Sequence, residues 1–334
     1  MDYSFSQWKE IYRKRRDIEK PVGRFAPSPT GYMHLGNVWA ALLAWLAVRK
    51  DNGTMILRVE DLDPDRSKSH FTDRIISDMR WLGLDWDEGP QLGGDFGPYT
   101  QDQRRHIYAS ALKDLQERKL VYPCFCTRKE LRAASAPHRE DGIFIYNGKC
   151  KELSHDQLEE NLETKRHAYR IGVPDKEYNF IDLNYGQYKQ NLAKDCGDFV
   201  LSRGDGVHAY QLAVVVDDAL MGVDTVVRGC DLIDSSPRQI FLHESLGFCP
   251  PKFGHVPLLK GEDAQRLSKR HKSLDLAYLR ENGWTAQEII GLLGHKAGLI
   301  DRFEAVKAED LIEAFDWSRL PQNDIVLEDS ELIK

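Results

Sequence analysis

Arg24-Phe-Ala-Pro-Ser-Pro-Thr-Gly31-Tyr-Met-His34-Leu-Gly36-Asn37 is the stretch from which the fold reads outward. Two prolines fix the path of this loop, and two glycines allow backbone to approach a ligand closely. A short strand is predicted before it at Val22–Phe25, and a helix after it from near Leu35, with the apolar face Val38, Leu42, Trp45 and Leu46. Free N–H groups and the dipole at a helix N-terminus favour a phosphate, and His34 stands where it can donate a hydrogen bond to one. Taken alone, the same pattern also suits a structural turn. A second strand at Met55–Val59 and a helix at about His70–Leu82 continue the alternation. Strand alternating with helix at this spacing predicts βαβ units and a parallel, doubly wound α/β sheet.

The chain has 334 residues, about twice a typical domain of roughly 150, so two domains or one domain with a large insert are expected. With 41% apolar and 30% charged residues it has ample material for a core and is neither disordered nor collagenous. The longest apolar stretch, Val38 to Val48, is shorter than the roughly 18 residues of a membrane span. Residues 1–20 hold no apolar signal region and include acidic residues, so a cytoplasmic protein without membrane association is expected. A net charge of −7 argues against an indiscriminate coater of nucleic acid but leaves room for a local basic surface. Lys9, Arg13, Lys14, Arg15, Arg16 and Lys20 offer such a surface, read either as a solvated helical lead-in or as a contact for RNA phosphate.

Around residues 120–170 the alternation breaks into Pro, Cys, Gly and charged residues, which suggests an inserted subdomain. Strands are expected again at Asp198–Ser202, Thr225–Val227 and Phe253–Leu258. Tyr210–Val216 is too rich in β-branched residues for periodicity to separate a strand from a buried helix. Beyond Ser273 the chain reads as helices only, with Ile289, Ile290, Leu292 and Leu293 as one apolar cluster and a loosely ordered tail from Gln322 to Lys334.

Two further clusters carry potential chemistry. Gln265-Arg266-Leu-Ser-Lys269-Arg270 follows Gly261 and could close over a polyphosphate, with Lys269 neutralising charge on a leaving group; alone it also reads as a solvated basic turn. Cys124, Cys126 and Cys150 fall in one short segment, whereas Cys196, Cys230 and Cys249 are scattered and read as ordinary thiols. Three thiolates are one ligand short of a closed tetrahedral zinc site.

Together, the first loop and the basic cluster resemble the HIGH and KMSKS signatures of class I aminoacyl-tRNA synthetases, in the form used by the glutamyl branch. Arg58-Val-Glu60-Asp61-Leu-Asp63 resembles that branch's acidic motif, and Tyr210 to Asp218 with Val227-Arg228-Gly229 is similar to its amino-acid pocket. The resemblance spans about residues 21–300. Asn37 replaces the final His of the first signature; the second begins with Arg266 in place of its first Lys and ends with Arg270 in place of its Ser, but keeps its second Lys as Lys269.

The resemblance implies a Rossmann-type synthetase core in which the α-carboxylate of an amino acid attacks the α-phosphate of ATP. It assigns His34 and Lys269 to catalysis, and His34, Gly36, Asn37 and Lys269 to ATP, which carries Mg²⁺. Glutamate would be held by Arg24, Phe25, Ala26, Pro27, Ser28, Glu60, Tyr210 and Arg228, the arginines taking carboxylates and Glu60 the ammonium. Val214 and Leu232 stand where discriminating glutamyl-tRNA synthetases usually carry Asn and Trp, so a related but altered pocket is expected. The family's Cys-x-Cys and Tyr-x₃-Cys pattern matches Cys124, Cys126, Tyr146 and Cys150 as ligands of one structural Zn²⁺. Cys196 or water stays open as the fourth ligand.

The implied organisation is a basic extension over 1–20, the first half of the catalytic core over 21–119, a zinc-bearing insert over 120–197, the second half over 198–273, and a helical appendix over 274–334 in place of an anticodon reader. Short chains of this form resemble the glutamyl-Q tRNA(Asp) synthetases, which activate L-glutamate without tRNA and esterify the cyclopentenediol of queuosine at the wobble position of tRNA(Asp). The expected partners are ATP, L-glutamate and queuosine-containing tRNA(Asp), for a protein acting as a monomer. A minimal ligase charging the 3′ end of tRNA(Glu), a non-catalytic RNA-binding paralogue, and a ligase with a non-RNA acceptor remain open.

Overall fold

The computed structural model describes residues 3–13, 20–127, 130, 145–146, 148–261 and 275–332. In chain order, α1 is Phe5–Tyr12, β1 Val22–Phe25, α2 Leu35–Arg49, β2 Thr54–Leu57, α3 Ser69–Trp81 and α4 Arg105–Glu117. There follow β3 Val121–Cys124, α5 His155–Thr164, β4 Ala168–Ile171, β5 Glu177–Asp182, β6 Gly186–Asn191, α6 Leu192–Asp195 and β7 Phe199–Ser202. The chain continues as α7 Tyr210–Leu220, β8 Thr225–Gly229, α8 Ser236–Leu246, β9 Lys252–Val256, β10 Leu259–Lys260, α9 Leu276–Glu281, α10 Ala286–Lys296 and β11 Ile325–Val326.

The expected parallel sheet is present, in the order β2-β1-β8-β9. Val22 to Phe25 pair with Thr54 to Leu57, and Thr225 to Gly229 pair with Lys252 to Val256. From β1 the chain first builds outward to β2 and later returns to the other side as β8. The crevice beyond the carboxyl ends of β1 and β8 is therefore a topological switch point, where open α/β sheets bind their ligands. Helix α2 packs hard on this junction. A Cβ on Gly23 of β1 would lie 2.3 Å from Val48 Cγ2, so only glycine permits the approach. The helix is buried over nearly its whole length, from Leu35 to Val48, as an all-apolar helix must be.

The ambiguous stretch at Tyr210–Val216 is helix α7, with Leu212 to Val216 fully sealed. Burial on every side removes the period that would have identified it. The strand expected at Asp198–Ser202 forms as β7 but does not extend the parallel sheet. It pairs antiparallel with β4 in a separate sheet of order β3-β4-β7. The hairpin β5–β6 stands against β9, with Leu183 N–H donating to the Phe253 carbonyl at 2.9 Å.

Two expectations for the C-terminal part need correction. It is not helices only, because β11 pairs in parallel with β10. Nor is the tail loose through residue 332: Leu327 and Leu332 are buried in the main core, and Trp284 Nε1 donates to the Leu332 carbonyl at 3.3 Å. Acidic residues around Ile325, Leu327 and Leu332 masked an aliphatic set that docks on the core.

Candidate active site

His34 sits at the N-cap of α2 in extended backbone. Its N–H donates to Asn37 Oδ1 at 3.1 Å, so the residue that departs from the first signature caps the helix from inside. A Cβ on Gly36 would come within 3.0 Å of His34 Cε1 and Nδ1; the imidazole lies over a glycine that leaves it room. His34, Gly36 and Asn37 are thus together at a helix N-terminus. The chain beyond the basic cluster re-enters against this loop, with Leu276 N–H donating to the Met33 carbonyl at 3.0 Å. Lys269 and the rest of its cluster lie outside the described residues, as do Lys14, Arg15 and Arg16 of the N-terminal extension.

The pocket candidates converge beside the switch point. Arg24 ends near the top of β1, Glu60 follows β2, Tyr210 opens α7 and Arg228 rides on β8. The carbonyls of Phe25 and Pro27 accept from Arg58 N–H and Glu60 N–H, both at 3.0 Å, and so align the loop with the Glu60 segment. Ser28, Glu60 and Tyr210 border one cavity of about 470 Å³, shared with Asp63, Arg203 and His208. No described contact gives Ala26 a side-chain role.

Beneath the pocket lies a charged network that ties the acidic motif of Arg58 and Glu60 to Asp217 and Asp218, and adds Gln101, Arg104 and Tyr108, which the sequence motifs did not single out. Arg58 is fully buried and reaches Asp218 Oδ1 at 2.7 Å, Glu60 Oε1 at 3.2 Å and Asp217 Oδ2 at 3.7 Å. Asp217 also receives Arg104 Nε at 2.6 Å, Tyr108 Oη at 2.9 Å and Gln101 Nε2 at 2.9 Å. Asp218 lies 3.4 Å from Arg24 Nε. The signal available in the sequence was the doubled acid at the end of an otherwise apolar α7. A buried charge must be paired, so Asp217-Asp218 announced partners even where it could not name them.

The electrostatics favour a zwitterionic ligand with extra negative charge. Burial raises the Glu60 carboxyl above its ordinary range, although Arg58 and Arg24 oppose the shift. Burial works to raise Asp218 as well, but Arg58 and Arg24 outweigh it and hold that carboxyl low. Burial lowers the Arg228 guanidinium, and Arg24 adds to the effect while Tyr210 opposes it. Two sequestered guanidinium groups that disfavour one another would be relieved by carboxylates. His208, on the cavity wall, is pushed down to about 4 by burial and then by Arg105, so its imidazole is neutral near pH 7.

Arg228 makes four hydrogen bonds within the protein. Its Nε donates to His255 Nε2 at 3.1 Å, Nη1 to Gln239 Oε1 at 2.7 Å, and Nη2 to Ser236 Oγ at 2.8 Å and the Leu232 carbonyl at 3.3 Å. Leu232 therefore contributes its backbone, and Val214 is fully buried within α7. None of Asp182, Gln239 and His255 was singled out by the motifs.

Away from this pocket, the sulfurs of Cys124, Cys126 and Cys150 all lie within 4.8 Å of one another. Cys126 Sγ is 3.5 Å from Cys150 Sγ and 3.6 Å from Tyr146 Oη. Tyr146 Oη accepts from Cys150 N–H at 2.9 Å, and the Arg170 guanidinium covers its ring at 4.1 Å. Three soft sulfurs and a phenol oxygen on one small centre suit a tetrahedral zinc. Cys196 is not in this group; it packs against the hydrophobic cores.

Comparison with known proteins agrees with this geometry. A family model described as class I tRNA synthetases (E and Q), catalytic domain, matches residues 21–333. The glutamyl-Q tRNA(Asp) synthetase of Symbiobacterium thermophilum is 48% identical over 307 residues, covering 91% of this chain and 94% of its own. The glutamate–tRNA ligase of Aquifex aeolicus is 42% identical over 305 residues, covering 90% of this chain but 62% of its own. Among solved structures, a glutamate–tRNA ligase from Elizabethkingia meningosepticum in complex with its amino acid superposes with a TM-score of 0.82 at 28% identity, over 94% of this chain and 68% of that one.

Proposed function

The chain belongs to the class I tRNA synthetases of the E and Q group, and from that premise we propose that it activates L-glutamate with ATP and transfers it to queuosine in tRNA(Asp). The observation that carries the substrate is the meeting of Arg24, Glu60, Tyr210 and Arg228 above one buried charge network. Two arginines answer two carboxylates and one acid answers one ammonium. The acceptor follows from the likeness to the S. thermophilum protein, which is both higher in identity and nearly complete in length.

In this reading Arg24 and Arg228 clamp the carboxylates, Glu60 binds the ammonium, and Ser28 and Tyr210 add neutral hydrogen bonds. A glutamate α-carboxylate oxygen attacks the α-phosphorus of ATP, forming glutamyl-AMP as the bond to pyrophosphate breaks. The residues position the reactants and neutralise charge; none becomes covalently attached. His34 at the α2 N-terminus holds phosphate, and Lys269 neutralises the departing pyrophosphate; Mg²⁺ brought with ATP would share that charge. A hydroxyl of the queuosine cyclopentenediol then attacks the activated carbonyl, and AMP leaves. The cavity bordered by Glu60 and Tyr210 is the route for that acceptor. Cys124, Cys126, Tyr146 and Cys150 would hold a structural zinc, which supplies a cross-link and takes no part in the chemistry.

The test is charging of tRNA(Asp) with labelled glutamate, with and without queuosine, alongside glutamate-dependent ATP–pyrophosphate exchange without tRNA. Exchange, and label only on the modified tRNA, is expected. Label at the 3′ end of tRNA(Glu) would replace this reading with that of a glutamate–tRNA ligase, and absence of exchange with or without tRNA would end the enzyme reading.

A further inference from the structure

We propose that Asp182 and His255 form a positioning pair that fixes the Arg228 guanidinium for the substrate carboxylate. The inference rests on the glutamate reading of Arg228 and adds two residues to it. His255 and Arg228 are directly opposed in the parallel β8–β9 pairing, so their side chains share one face of the sheet. Arg228 Nε lies 3.1 Å from His255 Nε2. An arginine can only donate, so His255 must present a bare Nε2 and carry its proton on Nδ1. Nδ1 in turn lies 2.5 Å from Asp182 Oδ2. The three protonation states are thereby locked together.

Asp182 is itself firmly placed. Its Oδ1 accepts from Asn184 N–H at 3.0 Å and Tyr185 N–H at 2.9 Å, and the His255 N–H reaches Oδ2 at 3.1 Å. All three side chains are buried. The other charged group facing the imidazole is Asp231, on the turn after β8, and the Phe253 ring stacks beside it with centroids 6.2 Å apart. Ser236 Oγ completes the cluster, 3.3 Å from His255 Nε2 and 2.8 Å from Arg228 Nη2. Burial keeps His255 neutral, which preserves the acceptor that Arg228 needs. Asp182 belongs to the β5–β6 hairpin and not to the parallel sheet, so an element outside the nucleotide fold sets the tautomer of a pocket residue.

The chemistry gives a test that simple loss of packing would not mimic. In Asp182→Asn the amide oxygen can keep the backbone contacts while its NH₂ faces His255 Nδ1. The imidazole proton then moves to Nε2 and points at the Arg228 N–H, donor against donor. With the full-length protein and L-glutamate in ATP–pyrophosphate exchange, Asp182→Asn and His255→Phe are expected to raise KM for glutamate about tenfold or more, with kcat and KM for ATP within about threefold. His255→Gln, which can restore an acceptor near the ε position, should recover at least about a third of the lost affinity in logarithmic terms. KM for glutamate within about twofold of the unaltered protein in both damaging variants overturns the pair. So does a uniform change in kcat and both KM values across all three variants, which marks a structural role. If His255→Phe fails to melt cooperatively, Asp182→Asn and His255→Gln decide the matter. Absence of glutamate-dependent exchange in the unaltered protein is a different failure: it removes the glutamate reading, and the pair with it.

Discussion

Arg58 Nη1 and Asp218 Oδ1 stand 2.7 Å apart with both side chains sealed from solvent, directly beneath Glu60. Arg58 is the one cation that touches Asp217, Asp218 and Glu60 together among the described residues. Its removal leaves three acids with Arg24 and Arg104 as the remaining partners. Breaking a buried pair by deleting one side costs about 3–5 kcal/mol, because the other charge stays behind. Arg58→Met is therefore expected to lower the free energy of unfolding by about 3 kcal/mol or more, measured by urea denaturation. A loss under about 1 kcal/mol would show that the acids find other compensation.

Glu60 gives a prediction in pH. Its carboxyl titrates above the ordinary range because burial outweighs Arg58 and Arg24. For a carboxyl with a raised folded value, the cost of holding the charge is present at high pH and relieved as pH falls through that value. Substrate binding runs the other way, because a neutral carboxyl cannot pair with the glutamate ammonium. KM for glutamate should rise as pH falls, at a higher pH than an ordinary carboxylate would dictate. Glu60→Gln should raise KM about tenfold to a hundredfold near neutrality and flatten this dependence. A steep profile retained in the variant would assign the titration to another group.

The sequence was most legible where local chemistry and tertiary role coincide. Val22–Phe25 is a strand in both readings, and the loop after it ends at the helix N-terminus expected near Leu35. The pocket residues were reached through the resemblance to the glutamyl branch, and Arg24, Glu60 and Arg228 lie close to Tyr210 in the structure. What stayed hidden depends on partners distant in sequence. Nothing near Asp182 announces His255, 73 positions away. The helix at Tyr210 was hidden for the opposite reason, since burial on all sides erased its period. Asn37, open as a ligand in the sequence, makes a helix-capping contact that only the backbone of His34 reveals.

The cysteine group predicts metal content. Purified protein should contain about one zinc per chain, and a strong chelator should loosen the segment between β3 and β4 while leaving the parallel sheet folded. Tyr146→Phe removes the one oxygen of the set and should weaken zinc retention about tenfold or more in a competition with a chromogenic chelator. Retention unchanged in that variant would assign the fourth position to water. Zinc well below one equivalent in the unaltered protein would remove the metal site.

The chain re-enters at Asp275 and Leu276 beside Met33 and His34, and the resemblance to the second signature assigns Lys269, outside the described residues, to the departing pyrophosphate. A cation brought there is used most as negative charge builds on the departing pyrophosphate. It is used little in the ground state, where Arg24, Glu60 and Arg228 hold glutamate. Lys269→Ala should therefore lower the rate of adenylate formation about a hundredfold or more in rapid-quench experiments and leave KM for glutamate nearly unchanged. Arg228→Ala should do the reverse, raising KM for glutamate with a smaller effect on the saturated rate. Equal losses in both parameters for both variants would mean that amino acid and pyrophosphate share these groups, and the division of labour drawn between the two ends of the crevice would fall.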